Sequence, residues 1–288
     1  MRRLSISHVT EYIFSTPVTL QPHRLLLRPR ESHTLRIESS TLDIYPAHTM
    51  RWQRDALDNS VASVSFLTSS NSLRIASNVS VEMYEDAPLD FLVADHAVTY
   101  PFDYALEEQP DLLSYRQNVY LEDRFAVNRW LVELGCMQGP IETFALLDRM
   151  NRDIASSFTY QAREAPGVQS PAQTLSSRSG SCRDFAALFM EACRHLGLAS
   201  RFVSGYLDIS ATSNDNASTH AWAEVYLPGP GWKGFDPTNG KLTDNQHIPV
   251  AVARHPEAVP PVAGSFVGPA GRRPVPIISV RVSLLPNR

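Results

Sequence analysis

Apolar and polar residues alternate strictly along Thr219-His220-Ala221-Trp222-Ala223-Glu224-Val225-Tyr226-Leu227. Ala221, Ala223, Val225 and Leu227 fall on one side, and His220, Trp222, Glu224 and Tyr226 on the other. That period of two predicts a β-strand whose faces meet different surroundings. A Pro228-Gly229-Pro230-Gly231 turn follows, then Trp232 to Asp236, closed by Pro237. The two runs read as a hairpin, with His220 near the start of one strand and Asp236 near the end of the other. Upstream the period changes. From Cys182, apolar side chains recur at Phe185, Ala186, Phe189, Cys193 and Leu196, which is one face of a helix. Gly180-Ser181 supply its turn and N-cap, and Gly197 its stop.

Elsewhere the pattern divides the chain into a β-rich start, a mixed connection and a helical core. Residues 4–14, 35–45, 61–68 and 73–84 are short apolar segments with period-two stretches such as Val79-Val81-Met83, separated by turn residues. They predict an antiparallel sandwich or half-barrel over residues 1–84. The periodicity fades over residues 85–117, where acids and prolines mix with Phe91, Tyr100, Phe102 and Tyr104; this reads as a linker packed on the surface. Residues 121–135 predict a helix with Leu121, Phe125, Leu131 and Leu134 inward. Residues 140–156 predict another, opened by Gly139-Pro140, with Ile141, Phe144, Leu147 and Ile154 inward. A second domain is expected to span residues 118–288, including a Pro-rich C-terminal segment in which Val275 to Leu285 reads as a strand.

The chemistry converges on three residues. A thiol in the first turn of a helix lies near unpaired backbone N–H groups and the positive end of the dipole, both of which favour thiolate. The hairpin then brings an imidazole and a carboxylate. This order suits a Cys-His-Asp triad in which His220 deprotonates Cys182, and Asp236 fixes the imidazole tautomer and stabilises its charged form.

Gly180-Ser181-Cys182-Arg183-Asp184-Phe185-Ala186, Arg201 to Tyr206, His220 to Val225, Gly231-Trp232 and Phe235-Asp236-Pro237-Thr238 together resemble the core of the bacterial transglutaminase-like superfamily over residues 155–240. The stretch from Leu4 to Tyr84 resembles the β-rich N-terminal region that often precedes that core. The resemblance implies an α+β protein with a papain-like core, a helix-borne Cys182 nucleophile packed on an antiparallel sheet, His220 as base and Asp236 as orienter. It leaves the reaction open, because the superfamily includes transamidases, peptidases, amidases and inactive members.

Composition narrows the remaining classes. Hydrophobic residues make up 43% of the 288 and charged ones 19%, which is ordinary for a globular enzyme. A formal charge of −4 gives no electrostatic footprint for nucleic acid or an anionic membrane. Arg2-Arg3 is followed by alternation and not by an apolar signal core, and no run approaches the roughly 18–20 apolar residues of a membrane span. Three scattered cysteines at positions 136, 182 and 193 argue against a disulfide framework and for a cytoplasmic setting. Cys193 reads as core packing and Cys136 as structural. With no paired metal-ligand spacing, neither a metal nor an organic cofactor is expected.

Some neighbours of the triad carry secondary expectations. Trp222 shares His220's side of the strand and either walls the cleft or packs the core. Asp184 suits a structural cap in the first helical turn. For the oxyanion, the backbone N–H of Cys182 is one natural donor, and Gln173 is the side-chain candidate in the loop from Gln169 to Ser179, where a substrate chain could enter. The sequence thus points to a thiol-dependent hydrolase acting on a peptide, amide or isopeptide bond of a peptide or protein through an acyl-thioester. Glutamine-donor transamidation is the enzymatic rival, and an idle peptide-binding module the rival from another class. For the N-terminal region, substrate selection, self-association and shielding all stay open.

Overall fold

The computed structural model describes residues 1–84, 87–163, 167–208, 217–268 and 274–286. Its N-terminal part consists of β1 (Arg2–Leu20), β2 (His23–Leu25), β3 (Leu35–Tyr45), β4 (His48–Arg54), β5 (Ser60–Phe66) and β6 (Ser70–Met83). β6 lies between β1 and β3 in one antiparallel sheet, and β5 between β2 and β4 in another. Phe14, Val18, Leu73 and Ile75 from the first sheet meet Leu25, Ala62 and Val64 from the second in one buried cluster. The two inner faces therefore make a sandwich, as the period-two segments predict. β4 is the strand the pattern hides, since its His-Thr-Met-Arg-Trp-Gln-Arg sequence is mostly exposed.

The connecting segment contains β7 (Thr99–Tyr100) and α1 (Gln109–Arg116), followed by α2 (Arg124–Glu133), β8 (Ile141–Glu142) and α3 (Thr143–Ser157). It enters the core where a linker packed on the surface is expected: Tyr104 is buried, donates to the Tyr226 carbonyl and accepts from the Ala199 N–H. Two helices differ from the sequence pattern. α2 begins after a separate 3-10 turn at Leu121–Asp123, so positions before Arg124 do not keep its phase. Val127, Trp130 and Leu131 are buried instead, while Leu121 is 68% and Phe125 74% exposed. α3 starts at Thr143 because the Glu142 carboxylate caps the Phe144 and Ala145 N–H groups, and Ile141–Glu142 pairs with β7.

Next come β9 (Thr159–Tyr160), α4 (Pro171–Ser177), β10 (Ser179–Gly180) and α5 (Cys182–His195). The sheet that receives α5 comprises β11 (Ser200–Asp208), β12 (Ala217–Leu227), β13 (Gly231–Asp236), β14 (Lys241–Leu242) and β15 (His247–Ala253), in the antiparallel order β14-β13-β12-β11-β15. Phe185, Phe189 and Cys193 of α5 share a buried cluster with Ala221, Ala223, Val225 and Phe235 of the sheet. This is the burial that the two sequence periods call for.

The C-terminal segment does not stay with the core formed by α5 and its sheet. β16 (Val262–Ala263) pairs with β2, β17 (Phe266–Val267) with β1, and β18 (Ile277–Leu284) runs along β1 from Leu4↔Leu284 to Glu11↔Ile277. The expected domain of residues 118–288 is thus corrected: from Val262 the chain rejoins the N-terminal sheets. The division at residue 84 is also incomplete, because Leu4, Ile6, Val79, Val81 and Val282 belong to the same cluster as α5 and β12.

A polar clamp joins the two parts on the outer side of β15. Fully buried Asn59 donates from Nδ2 to the Val252 carbonyl (2.9 Å) and accepts the Val252 N–H on Oδ1 (2.8 Å), completing an edge strand as a neighbouring strand would. Asn59→Ala leaves both backbone groups buried without that partner, and we expect it to lower unfolding free energy by about 2–3 kcal/mol. A urea titration checks this: an unmoved midpoint would show that the clamp contributes nothing.

Candidate active site

The local fold around Cys182 is fixed by a buried acid. Ser181 is the N-cap of α5, and Asp184 Oδ2 accepts both its N–H and its hydroxyl at 2.8 Å. Asp184 Oδ1 accepts the Gln169 N–H at 2.7 Å and Arg163 Nη2 at 3.3 Å, so a fully buried carboxylate ties the preceding loop to the mouth of the helix. The structure therefore gives Asp184 the capping role expected of it. Gly180 is required by the same crowding, since a Cβ there would lie 2.9 Å from that of Asp184. Cys182 is half-buried, whereas Cys136 and Cys193 are buried, and burial pushes both of those thiols up from the usual cysteine value.

The hairpin brings the other two residues to the thiol. β12 and β13 pair with Ala223 opposite Phe235, which carries His220 and Asp236 to the same end of the sheet. His220 Nε2 lies 2.9 Å from Asp236 Oδ2, and its other ring nitrogen is left for the hydrogen bond with Cys182. Burial disfavours the imidazolium, but the hydrogen bonds to Asp236 and Cys182 and the negative charge of each outweigh it and hold His220 up to about 10. Burial would likewise raise Asp236; hydrogen bonds from His220 and His247 and the charge of both rings hold it well below the usual carboxylate range.

Asp236 is fully buried and richly supplied with donors. Oδ2 also meets Asn239 Nδ2 at 2.6 Å and His247 Nε2 at 3.1 Å, and Oδ1 accepts the Thr238 N–H at 3.0 Å. His247 in turn places Nδ1 2.9 Å from Asp244 Oδ1. Asn239 and Thr238 follow from the turn that Pro237 imposes. His247 and Asp244 escaped sequence reasoning, because the partner of a strand across a sheet depends on register and not on spacing. Donor atoms of His220, Asp236 and His247 lie within 4.8 Å of one another, a set that could take a metal ion.

The two secondary candidates are placed elsewhere. Gln173 is exposed on α4, where its Oε1 accepts the Ser170 N–H at 3.0 Å in a capping box, so its amide oxygen serves as a helix cap. Trp222 is 2% exposed, too buried to wall an open cleft. Its ring lies 6.2 Å from that of His220 and edge-on to His247 at 5.3 Å, backing both imidazoles. Gly205 makes room for it: a Cβ there would lie 2.6 Å from the indole and 2.3 Å from the Ile248 carbonyl oxygen.

Comparison with known proteins places this site in a family. Residues 4–82 match the bacterial transglutaminase-like N-terminal region, and residues 135–237 match the transglutaminase-like superfamily. The uncharacterized protein Rv2569c of Mycobacterium tuberculosis is 31% identical over 284 residues, covering 91% of this chain and 87% of its own. The chain belongs to the transglutaminase-like superfamily. Mb2599c of Mycobacterium bovis, also uncharacterized, matches to the same extent. A crystal structure from Cytophaga hutchinsonii, described as a candidate cysteine protease, superposes with a TM-score of 0.71 at 17% identity. It covers 100% of this chain and 92% of its own, and so shares the whole fold. Membership in the superfamily supports cysteine-dependent hydrolase- or transamidase-like chemistry in general terms. Among the described residues no helix is long and apolar enough to cross a membrane.

The elevated His220 value sets a pH dependence. A folded-state value of about 10 against 6.5 means that the stability from charged His220 is complete below 6.5 and declines as pH rises towards 10. Urea unfolding of the wild type should therefore weaken between pH 7 and 10 more steeply than that of His220→Asn. Equal slopes would remove the imidazolium from the account.

Proposed function

We propose that the chain is a thiol-dependent hydrolase of a peptide, amide or isopeptide bond in a peptide or protein substrate. The observation that carries this reading is the line from Asp236 through His220 to Cys182, in which one imidazole is hydrogen-bonded both to the buried carboxylate, at 2.9 Å, and to the thiol. The Cys182 thiolate attacks the carbonyl carbon, and a C–S bond forms as the carbonyl oxygen takes the electron pair. The backbone N–H of Cys182, at the start of α5, serves the resulting oxyanion. His220 passes its proton to the leaving nitrogen as the C–N bond breaks, which leaves an acyl-thioester and a neutral imidazole. It then takes a proton from water as the water attacks, and the acid is released with the thiol restored. Asp236 keeps its charge throughout and holds the ring. None of these steps calls on a metal or organic cofactor.

Water is favoured over an amine acceptor because the approach to Cys182 is wettable. Ser176 and Ser177 on the adjoining α4 are exposed, and Cys182 itself is only half-buried. Transamidation requires an acceptor amine to outcompete water at roughly 55 M, which takes a positioned binding site. A reducing compartment such as the cytoplasm suits the site, since the two remaining cysteines are also unpaired.

Limiting iodoacetamide near neutral pH should modify Cys182 before Cys136 or Cys193, as peptide mapping by mass spectrometry will show; labelling of either buried cysteine with Cys182 inert would count against the nucleophile. Asp236→Asn should keep the fold and lower kcat by about 10²- to 10⁴-fold, because an amide cannot stabilise imidazolium. Full specific activity with a lowered melting temperature would instead make Asp236 a turn residue. With an acyl-donor peptide and a labelled primary amine at millimolar concentration, free acid should exceed amine adduct. The reverse ratio would make the protein a transamidase, and no product from any donor would favour a binding module.

A further inference from the structure

The Asp236 carboxylate holds two imidazoles, and the triad chemistry uses only one of them. His247 is 3% exposed and sits at the start of β15, with Leu207 of β11 as its pairing partner. The charged and titratable groups that face it are Asp236 from β13, His220 from β12 (ring centroids 6.1 Å apart) and Asp244 from the turn before β15, the last also 3.2 Å from Lys241 Nζ. The Trp222 ring closes the remaining side. Asp236 is an acceptor only, so the contact at 3.1 Å is a donation from His247 Nε2–H. The other nitrogen meets Asp244 twice, its Oδ1 at 2.9 Å and its backbone N–H at 3.2 Å. The first contact suits a charged ring and the second a neutral one. In both cases the Nε2 proton points at Asp236, because Asp244 fixes the far side of the ring.

We propose that His247 is a positioning residue for this site: braced by Asp244, it pins Asp236 Oδ2 so that the carboxylate stays directed at His220 when the imidazole gains and loses its proton. This rests on the reading of Cys182, His220 and Asp236 as the reacting set. A carboxylate pinned on one side cannot turn to follow His220 or to seek another donor. The cost of ordering it is met by the fold before the substrate arrives. Asn239 and the Thr238 N–H hold the same carboxylate from the turn, but they belong to Asp236's own loop and move with it. His247 is the donor that ties Asp236 to the opposite edge of the sheet.

The test compares His247→Leu, His247→Gln and Asp244→Asn in the full chain. His247→Leu should lower kcat by about 10- to 100-fold with KM within twofold, in the range seen when partners that orient a site's ligands are removed. It should also move the acid limb of Cys182 alkylation by iodoacetamide to higher pH by at least about half a unit, since a less firmly held Asp236 stabilises the His220 imidazolium less. His247→Gln keeps an N–H donor and should recover most of both losses. Asp244→Asn should show a smaller loss, and the double variant should be no worse than His247→Leu alone, as expected of residues acting in series. An unchanged alkylation profile in folded His247→Leu would overturn the proposal, as would a fall in melting temperature with kcat intact. So would a gain in turnover when chelator-treated wild type receives one equivalent of Zn²⁺, because His247 would then belong to a metal set. Alkylation needs no substrate and therefore reads His247's effect even where no donor is turned over. Should Cys182→Ala retain activity, the catalytic reading itself fails, whereas a shifted alkylation profile still supports His247's hold on Asp236.

Discussion

A carboxylate taken out of water is unstable unless donors surround it, and Asp236 is completely buried. The site follows from how that requirement is met. The tight turn at Pro237 supplies the Thr238 N–H and the Asn239 amide, β12 supplies His220, and the far edge strand supplies His247. Satisfying one negative charge thus brings together parts of the chain on β12, β13 and β15. The geometry that suits a thiol–imidazole pair is then largely complete before Cys182 is added. The helix contributes the remaining part in the same manner, with buried Asp184 gathering Ser181, Gln169 and Arg163 around the mouth of α5. Two buried acids, one on the sheet and one on the helix, organise the donors around the half-buried sulfur of Cys182.

The N-terminal sheets are coupled to this arrangement through packing and through polar contacts. β1 serves two cores along its length: Leu4 and Ile6 join the cluster around α5, while Phe14, Val18 and Leu20 join the sandwich. His8 carries the coupling further, with Nδ1 2.9 Å from the Tyr206 hydroxyl of β11 and Nε2 3.0 Å from Thr10, deep enough that burial lowers it to about 4. An imidazole kept neutral in this way remains an uncharged hydrogen-bonding bridge through the neutral range. Arg2 reaches Asp208 at 2.6 Å from the same strand.

What the sequence made legible is what depends on local period. α5 and the β12–β13 hairpin carry unbroken patterns, and the residues that line up at the site lie at their ends, so Cys182, His220 and Asp236 could be named from the chain alone. The capping role of Gln173 was legible too, since Ser170 followed three residues later by Gln173 is itself a capping-box signal. Leu121 falls in a 3-10 turn that shares no phase with α2, and Phe125, inside α2, is six residues from Leu131 and so faces a different side of the helix. His247 was out of reach for a different reason. Its approach to Asp236 depends on how β15 pairs with β11, and that register shifts between Ser204 and Gly205, an irregularity with no mark in the hydrophobic pattern. The return of Ile277–Leu284 to β1 is equally non-local, since the strand is visible in the sequence but its neighbour is not.

That return gives the fold an order of assembly. Backbone groups from Leu4 to Glu11 find their β18 partners only when residues 277–284 are in place. Val282, fully buried, then closes over the cluster that seats α5. Until then the helix bearing Cys182 lacks part of the surface it packs against. The setting of Cys182 is therefore finished by a strand far downstream of it in the chain, so the geometry of the site forms only with the fold as a whole.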